Sequence, residues 1–415
     1  MSDYIHVEIE LAQSSKKTGM PCGDVVRFRR SNYGTNLVCA DGLGSGLRAH
    51  ISAEMCAARL FTAIEQGISF RKAFSSVAAQ MEKSRDPKKP FAAFSILRIR
   101  PNGNTTVLSY DAPPPILVGP NGASVLANRI FPLPGGLAIE SNCQLQCGEG
   151  ILIMSDGITQ AGLGLGSQSE WTSEGVVRTL NNMLSKRQKF SQIPHRIHQE
   201  AIQRWSSLLD RRSSSTVGDR ALRLTPYSHS PNAEVPKAKV VGDDCTAVLA
   251  YCRMGQTVNV LTGPPVDKEQ DTQVVRQFLE TPGLKIVCGG STAKIVSQHM
   301  GVSLEMESEP ISVIAPPRYG IRGINLVTEG AVTLNQLYNI IGEEISKLND
   351  DSGVTELRLL LNIADRVNFI VGCAENKAND DISFLQRGVL SRKVLIPLLA
   401  DKLEREGKLV NIRYV

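Results

Sequence analysis

Three acidic cassettes, each at the end of an apolar run, hold the residues of this chain best suited to chemistry. They read Val38-Cys39-Ala40-Asp41-Gly42-Leu43-Gly44-Ser45-Gly46, Ile151-Leu152-Ile153-Met154-Ser155-Asp156-Gly157 and Val240-Val241-Gly242-Asp243-Asp244-Cys245-Thr246. An aspartate just past a buried strand is aimed at a fixed point by the scaffold behind it. Three such points can converge on a hard, oxygen-ligated Mg2+ or Mn2+ site. A glycine directly after Asp41 and Asp156 lets backbone approach an ion and offers a carbonyl as a further ligand. Taken singly, Asp-Gly is an ordinary turn dipeptide, so the inference rests on the three cassettes together. They point to a two-metal hydrolase of phosphate esters.

Hydrolysis of a phosphate ester at neutral pH needs an activated nucleophile and neutralised phosphoryl oxygens. A pair of divalent ions can supply both. The other catalytic residue types are scarce. The chain has six histidines, none inside a cassette. Its nine cysteines are scattered, mostly in apolar runs, and Cys143 and Cys147 form the only close pair. The Cys-x-x-Cys pairs of a zinc site are missing, so buried free thiols in a reducing compartment are expected.

The order Asp41-Gly42-Leu43-Gly44-Ser45-Gly46, Ser155-Asp156-Gly157, Asp243-Asp244-Cys245-Thr246 resembles the PPM superfamily of metal-dependent protein phosphatases. The likeness is greatest to its bacterial stage II sporulation protein E branch. Gly23-Asp24 fills that branch's first slot, and Leu43 and Cys245 stand where methionine is usual. Asp111-Ala112-Pro113-Pro114-Pro115-Ile116-Leu117 and Leu133-Pro134-Gly135-Gly136-Leu137 resemble two further family segments. The resemblance covers roughly residues 1 to 253.

By this resemblance Asp41 would bridge two ions, with the Gly42 carbonyl completing one shell. Asp156 and Asp243 would hold the other ion. Asp244 would orient a bound water, and Asp24 would act from the second layer or through water. Mn2+ or Mg2+ is the implied cofactor, two ions in all, and activity is expected to need added Mn2+. The implied activity is that of a protein-serine/threonine phosphatase in bacterial signal transduction. Its substrate would be a phosphorylated regulatory protein, of which anti-anti-sigma factors are examples. Members of the branch often dimerise, which makes a homodimer an expectation. No arginine clearly matches the phosphate-binding arginine of the eukaryotic enzymes, although Arg27, Arg29 and Arg30 lie close to Asp24 in sequence.

These aspartates need strands to aim them. Alternation or apolar runs predict strands at 6–12, 25–29, 36–40, 92–100, 105–110, 116–118 and 151–154. Helical spacing of Leu47, Ile51, Met55, Cys56, Leu60 and Ile64 predicts a helix over 47–66. Others are expected at 70–83, 176–184 and 193–209. That order fits an α+β domain, a β-sandwich of two antiparallel sheets flanked by helices, as the resemblance implies. Glu8 and Glu10 on the first strand are read as exposed strand positions. Residues 210–239, rich in Ser, Arg and Pro, read as a mobile insertion in which Arg211, Arg212, Arg220 and Arg223 could meet an acidic partner.

From Gly255 strands and helices alternate, predicting a separate α/β domain with a largely parallel sheet over residues 254–415. Strands are expected at 258–261, 284–288, 311–314, 324–327, 367–371 and 410–414. Helices are expected at 269–280, 293–300, 334–347, 355–364 and 394–406. Val287-Cys288-Gly289-Gly290-Ser291-Thr292-Ala293 reads as strand, Gly-rich turn and helix start. Gly289, Gly290, Ser291 and Thr292 are thus a candidate seat for a small anionic ligand, with helix capping by Ser291 as the plain alternative. Leu326-Val327-Thr328-Glu329-Gly330 is a second strand-end cluster. Asp380-Asp381 imitates the third cassette without a strand entering it and reads as a surface pair.

The 415 residues carry a net charge of +5, with 42% hydrophobic and 21% charged residues. That balance makes no case for a nucleic-acid or membrane partner. No run approaches the roughly 18 apolar residues of a membrane span, and no signal peptide opens the chain, so a cytoplasmic location is expected. Two other readings remain at this point. One is a non-catalytic phosphatase-fold signalling module. The other is a protein whose main ligand binds residues 254–415.

Overall fold

The computed structural model describes residues 4–16, 19–83, 91–133, 136–162, 171–215, 242–308, 318–344, 352–374 and 389–415. They divide into one unit of Val7–Arg253 and a second of Met254–Val415 joined by the first six residues.

The first unit is built on two sheets. One has the order β2-β3-β4-β5-β9-β8, from Asp24–Ser31 (β2), Gly34–Gly42 (β3), Ala92–Ile99 (β4), Asn104–Tyr110 (β5), Asn128–Leu133 (β8) and Gly136–Gln144 (β9). The other has the order β1-β11-β10-β6-β7, from Ile5–Ser14 (β1), Ile116–Gly119 (β6), Gly122–Val125 (β7), Gly150–Met154 (β10) and Cys245–Met254 (β11). The ladders of the first sheet run antiparallel, as do those joining β11, β10, β6 and β7.

Both faces of the central strands are apolar, which is why helices cover this sandwich outside. Val38 and Ala40 of β3 and Phe94 and Ile96 of β4 join a core with helices Leu47–Glu65 (α1) and Phe70–Glu82 (α2). Their strand neighbours Leu37, Cys39 and Leu97 point the other way and are buried too. A second core lies between the five-stranded sheet and helices Asp156–Thr159 (α3), Ser173–Ser185 (α4) and Ile193–Ser215 (α5).

The α1 face differs from the expected one. Leu47 and Ile51 are exposed, while Ala49, Ser52, Ala53, Cys56, Ala57, Leu60 and Phe61 are buried. The helix packs through small residues that let it lie close to β3, so the large side chains at its start are displaced outward. Helix α5 continues through residues 210–215, the start of the expected mobile insertion; residues 216–239 of that expectation lie outside the described residues. So do Pro134, Gly135, Asp380 and Asp381, and the strand expected at 311–314.

The second unit is an α/β domain. Its sheet has the order β14-β15-β16-β13-β12-β17-β18. The strands are Thr257–Thr262 (β12), Leu284–Cys288 (β13), Glu305–Ser308 (β14), Arg318–Gly320 (β15), Leu326–Thr328 (β16), Arg366–Val371 (β17) and Leu409–Tyr414 (β18). The five strands β16-β13-β12-β17-β18 pair in parallel, and β14 and β15 extend one edge antiparallel. Helices Asp271–Glu280 (α6) and Gly290–Met300 (α7) pack on one face. Helices Ala331–Ile340 (α8), Gly353–Asn362 (α9) and Arg392–Arg405 (α10) pack on the other. Helix α8 starts three residues before the expected Leu334 and ends at Ile340 rather than running on to residue 347. Among the described residues no helix is long and apolar enough to cross a membrane.

Candidate metal centre

Antiparallel pairing brings the first two aspartates together. Asp24 opens β2, Asp41 is the penultimate residue of β3, and the register sets them opposite one another. Directly paired residues on such ladders have Cα atoms about 4.5–5.5 Å apart. Asp41 therefore lies on its strand rather than past it. Gly42 follows, its N–H donating to the Gly23 carbonyl at 3.3 Å. A Cβ on Gly42 would lie 1.9 Å from the Ala49 carbonyl oxygen, so only glycine lets α1 cross here.

The other sheet contributes the remaining three. Strand β10 is buried throughout and delivers Asp156 to the first position of α3. Asp243 and Asp244 immediately precede β11, which pairs with β10. The two strand ends are tied at Ser155, whose N–H donates to the Thr246 carbonyl while its hydroxyl accepts from Thr246 N–H, both at 3.0 Å. Trp205 of α5 closes the back: its indole N–H donates to the Gly157 carbonyl at 2.9 Å, and its ring fills the space where Gly242 would carry a Cβ.

The two sheets place all five carboxyls in one electrostatic cluster. Asp24 is 1% exposed and Asp244 4%, while Asp41, Asp156 and Asp243 are half-buried. Burial pushes the Asp41 carboxyl well above the usual range, helped by the charges of Asp24, Asp156 and Asp243. Burial also raises Asp156, with Asp243 adding to it. Asp24 is pushed up to about 6, by burial first and then by the Asp244 charge.

Little in the protein offsets this charge. Lys16 Nζ stands 3.5 Å from Asp243 Oδ1, and the Lys16 N–H donates to Asp244 Oδ1 at 2.7 Å. Both carboxylate oxygens of Asp24, and Asp244 Oδ2, are buried without a hydrogen-bond partner. A buried acidic cluster with orphaned oxygens is the arrangement a hard cation stabilises, and its all-oxygen donor set suits Mg2+ or Mn2+. Among the described residues no three His, Cys, Asp or Glu side chains close on a single point as they stand. The nearby thiols do not compete as ligands, because burial raises Cys22, Cys39 and Cys245 well above neutrality.

The residues expected from the sequence, Asp24, Asp41, Gly42, Asp156, Asp243 and Asp244, lie at neighbouring strand ends of the first unit. Arg27, Arg29 and Arg30 do not join them: β2 carries them away at about 3.3 Å per residue. Arg27 pairs with Glu54, Arg29 with Glu65, and Arg30 lies over the Phe28 ring. Glu8 pairs with Arg253. Gly289, Gly290, Ser291 and Thr292 belong to the other unit. Sequence reasoning missed Lys16 and Trp205, which come from remote segments without a motif. It also missed Gln13, whose amide donates to the Asp24 carbonyl and the Thr246 hydroxyl.

Residues 31–212, which lie within the first unit, match the family model of stage II sporulation protein E (SpoIIE). No curated protein matches the chain. Among solved structures, similarity is found to the phosphatase domain of the cell fate determinant SpoIIE from Bacillus subtilis. It has a TM-score of 0.41 and 16% identity, covering 60% of this chain and 93% of that one. The RsbU and RsbW domains of Rv1364c from Mycobacterium tuberculosis give a TM-score of 0.42 and 15% identity, covering 72% and 70%. The catalytic domain of the serine threonine protein phosphatase PstP, in complex with two manganese ions, gives 0.37 and 13%, covering 60% and 100%.

Proposed function

We propose that the first unit is a divalent-cation-dependent protein phosphatase acting on phosphoserine or phosphothreonine of a regulatory protein. The observation that carries this is the five-aspartate cluster, whose excess negative charge and orphaned oxygens call for cations. Asp41, Asp156, Asp243 and the Gly42 carbonyl would hold two Mn2+ or Mg2+ ions. Such ions, when bound, acidify a water and neutralise the phosphoryl oxygens.

The chain's own groups do the positioning. Asp24 and Asp244 present buried acceptor oxygens that orient water at the cluster. Ser155 and Thr246 fix the strand ends that carry the ligands. Burial raises the thiols of Cys22, Cys39 and Cys245, which disfavours them as thiolate nucleophiles and agrees with water as the attacking group. The match of residues 31–212 to the SpoIIE family model supports a phosphorylated protein of a bacterial signalling system as the substrate, with anti-anti-sigma regulators as candidates.

The test is Mn2+-dependent hydrolysis of p-nitrophenyl phosphate and of a phosphothreonine peptide, wild type beside Asp41→Ala and Asp156→Ala. Turnover that requires the cation and disappears in both variants supports the proposal. A wild type that binds no Mn2+ and hydrolyses neither compound contradicts it and leaves a non-catalytic signalling module.

A further inference from the structure

The second unit has its own unclaimed polar edge. Its parallel strands run β16-β13-β12-β17-β18, so chain order reverses between β12 and β17. Doubly wound sheets bind ligands outside their carboxyl ends at such a reversal. One rung crosses that edge: Thr328 is in register with Cys288, Cys288 with Thr262, and Thr262 with Val371. Gly289, Gly263 and Gly372 follow directly, and Gly330 follows Thr328 after Glu329.

Helices α7 and α8 begin here, each behind a glycine and without a side-chain cap. Their starts touch, since a Cβ on Gly330 would lie 3.3 Å from Gly289 Cα. The free first-turn N–H groups of two helices therefore open beside one another. The third residue of each helix is a threonine, Thr292 at 2% exposure and Thr333 at 0%, and neither hydroxyl has a hydrogen-bond partner. Thr292 Oγ1 lies 3.3 Å from where a Cβ on Gly289 would sit, so it faces that turn. Thr262, the last residue of β12, is a third fully buried hydroxyl without a partner. Native folds leave few such groups dry and unpaired.

A cation completes the edge. Arg392, the first residue of α10, presses its guanidinium against Gly263, where a Cβ would come within 1.9 Å of Nη1. Its Nη2 donates to the Ala374 carbonyl at 3.2 Å. Among the described residues no carboxylate pairs with it. The Gly263 and Gly289 turns leave adjacent strands, about 5 Å apart.

We propose that this edge binds a phosphorylated small molecule. Its phosphate sits on the amide ends of α7 and α8, takes hydrogen bonds from Thr292 and Thr333, and is balanced by Arg392. The two helix ends and the Thr292 hydroxyl facing the Gly289 turn are donors, which matches a tetrahedral oxyanion with several acceptor oxygens. This reading does not depend on that of the aspartate cluster.

The test uses the full chain carrying Asp41→Asn, kept in EDTA, so that the first unit neither binds cations nor hydrolyses the probes. Inorganic phosphate, AMP and glucose 6-phosphate are titrated by calorimetry. At least one is expected to bind saturably at one site. Gly290 has no atom within 4 Å of an added Cβ, so Gly290→Glu places a carboxylate in the seat without a clash. Gly290→Glu and Arg392→Gln should each weaken binding by about tenfold or more. Thr292→Val should weaken it while leaving the melting temperature unchanged or higher. Equal affinity for all three probes assigns a phosphate-ion site, and tighter binding of AMP or glucose 6-phosphate assigns an ester. No binding of any probe overturns the proposal, as does binding that Gly290→Glu and Arg392→Gln leave intact.

Discussion

Gly157 and Asp244 are in direct backbone contact: a Cβ on Gly157 would lie 1.9 Å from the Asp244 carbonyl oxygen. The turn that carries Asp156 and the turn that carries Asp243 therefore fit only as a pair. Gly157→Ala must push the two turns apart. It should lower stability by about 1–3 kcal/mol and weaken Mn2+ binding together, read by thermal melts with and without Mn2+. Unchanged melting and unchanged Mn2+ response would separate the turn contact from the site.

Trp205 bonds the same Gly157 carbonyl from behind. Trp205→Phe keeps most of the ring but removes the donor, leaving only the weak Cys245 thiol contact at 3.3 Å. A stability loss of about 1 kcal/mol is expected, with Mn2+ affinity reduced although no ligand is touched. Calorimetric Mn2+ titration of the folded variant checks this.

Asp24 is buried with both oxygens unpartnered. Asp24→Asn removes a charge that nothing neutralises in the metal-free protein. The metal-free variant should melt higher than wild type, by a stability gain of the order of 1–3 kcal/mol at neutral pH. The additional stabilisation that Mn2+ gives wild type should shrink. A lower melting temperature for the metal-free variant would contradict the picture of an unneutralised cluster.

The same carboxyls set a pH dependence. Asp24 at about 6, with Asp41 and Asp156 raised, binds protons more tightly in the folded chain than in the unfolded one, where 3.8 is usual. Their contribution to stability is complete below about 3.8 and is lost as pH climbs through about 6. Metal-free melting temperatures should therefore fall between about pH 5 and about pH 8. Saturating Mn2+ should abolish or reverse that fall. Metal-free melting that rises steadily over this range would sink the argument.

Much of this arrangement was legible in the sequence, for a physical reason. The first two cassettes combine buried strands with acidic ends, and the strand runs at 36–40 and 151–154 set Asp41 and Asp156 at strand termini; Asp243, read as the end of an apolar run, instead precedes its strand β11. Other parts were hidden. The buried face of α1 is written in alanines, Ala49, Ala53 and Ala57, which carry little hydrophobic signal beside exposed Leu47 and Ile51. Strands β7 and β8 are short and lie between Gly and Pro residues, and β14 and β15 are short antiparallel strands at one side of the second sheet, of four and three residues. Lys16 and Trp205 reach the site only through the tertiary fold. In the second unit the glycine turn at Gly289 could be read from sequence. The meeting of the α7 and α8 starts at Gly289 and Gly330 could not, because it depends on which strands become neighbours.

Direct titration with Mn2+, followed by its electron paramagnetic resonance signal, tests the central claim most directly. Wild-type protein should take up two ions, and Asp41→Ala should lose most of that binding while keeping the wild-type circular dichroism spectrum. Wild-type protein that binds no Mn2+, or Asp41→Ala that binds it undiminished, would contradict a cation site built on these aspartates.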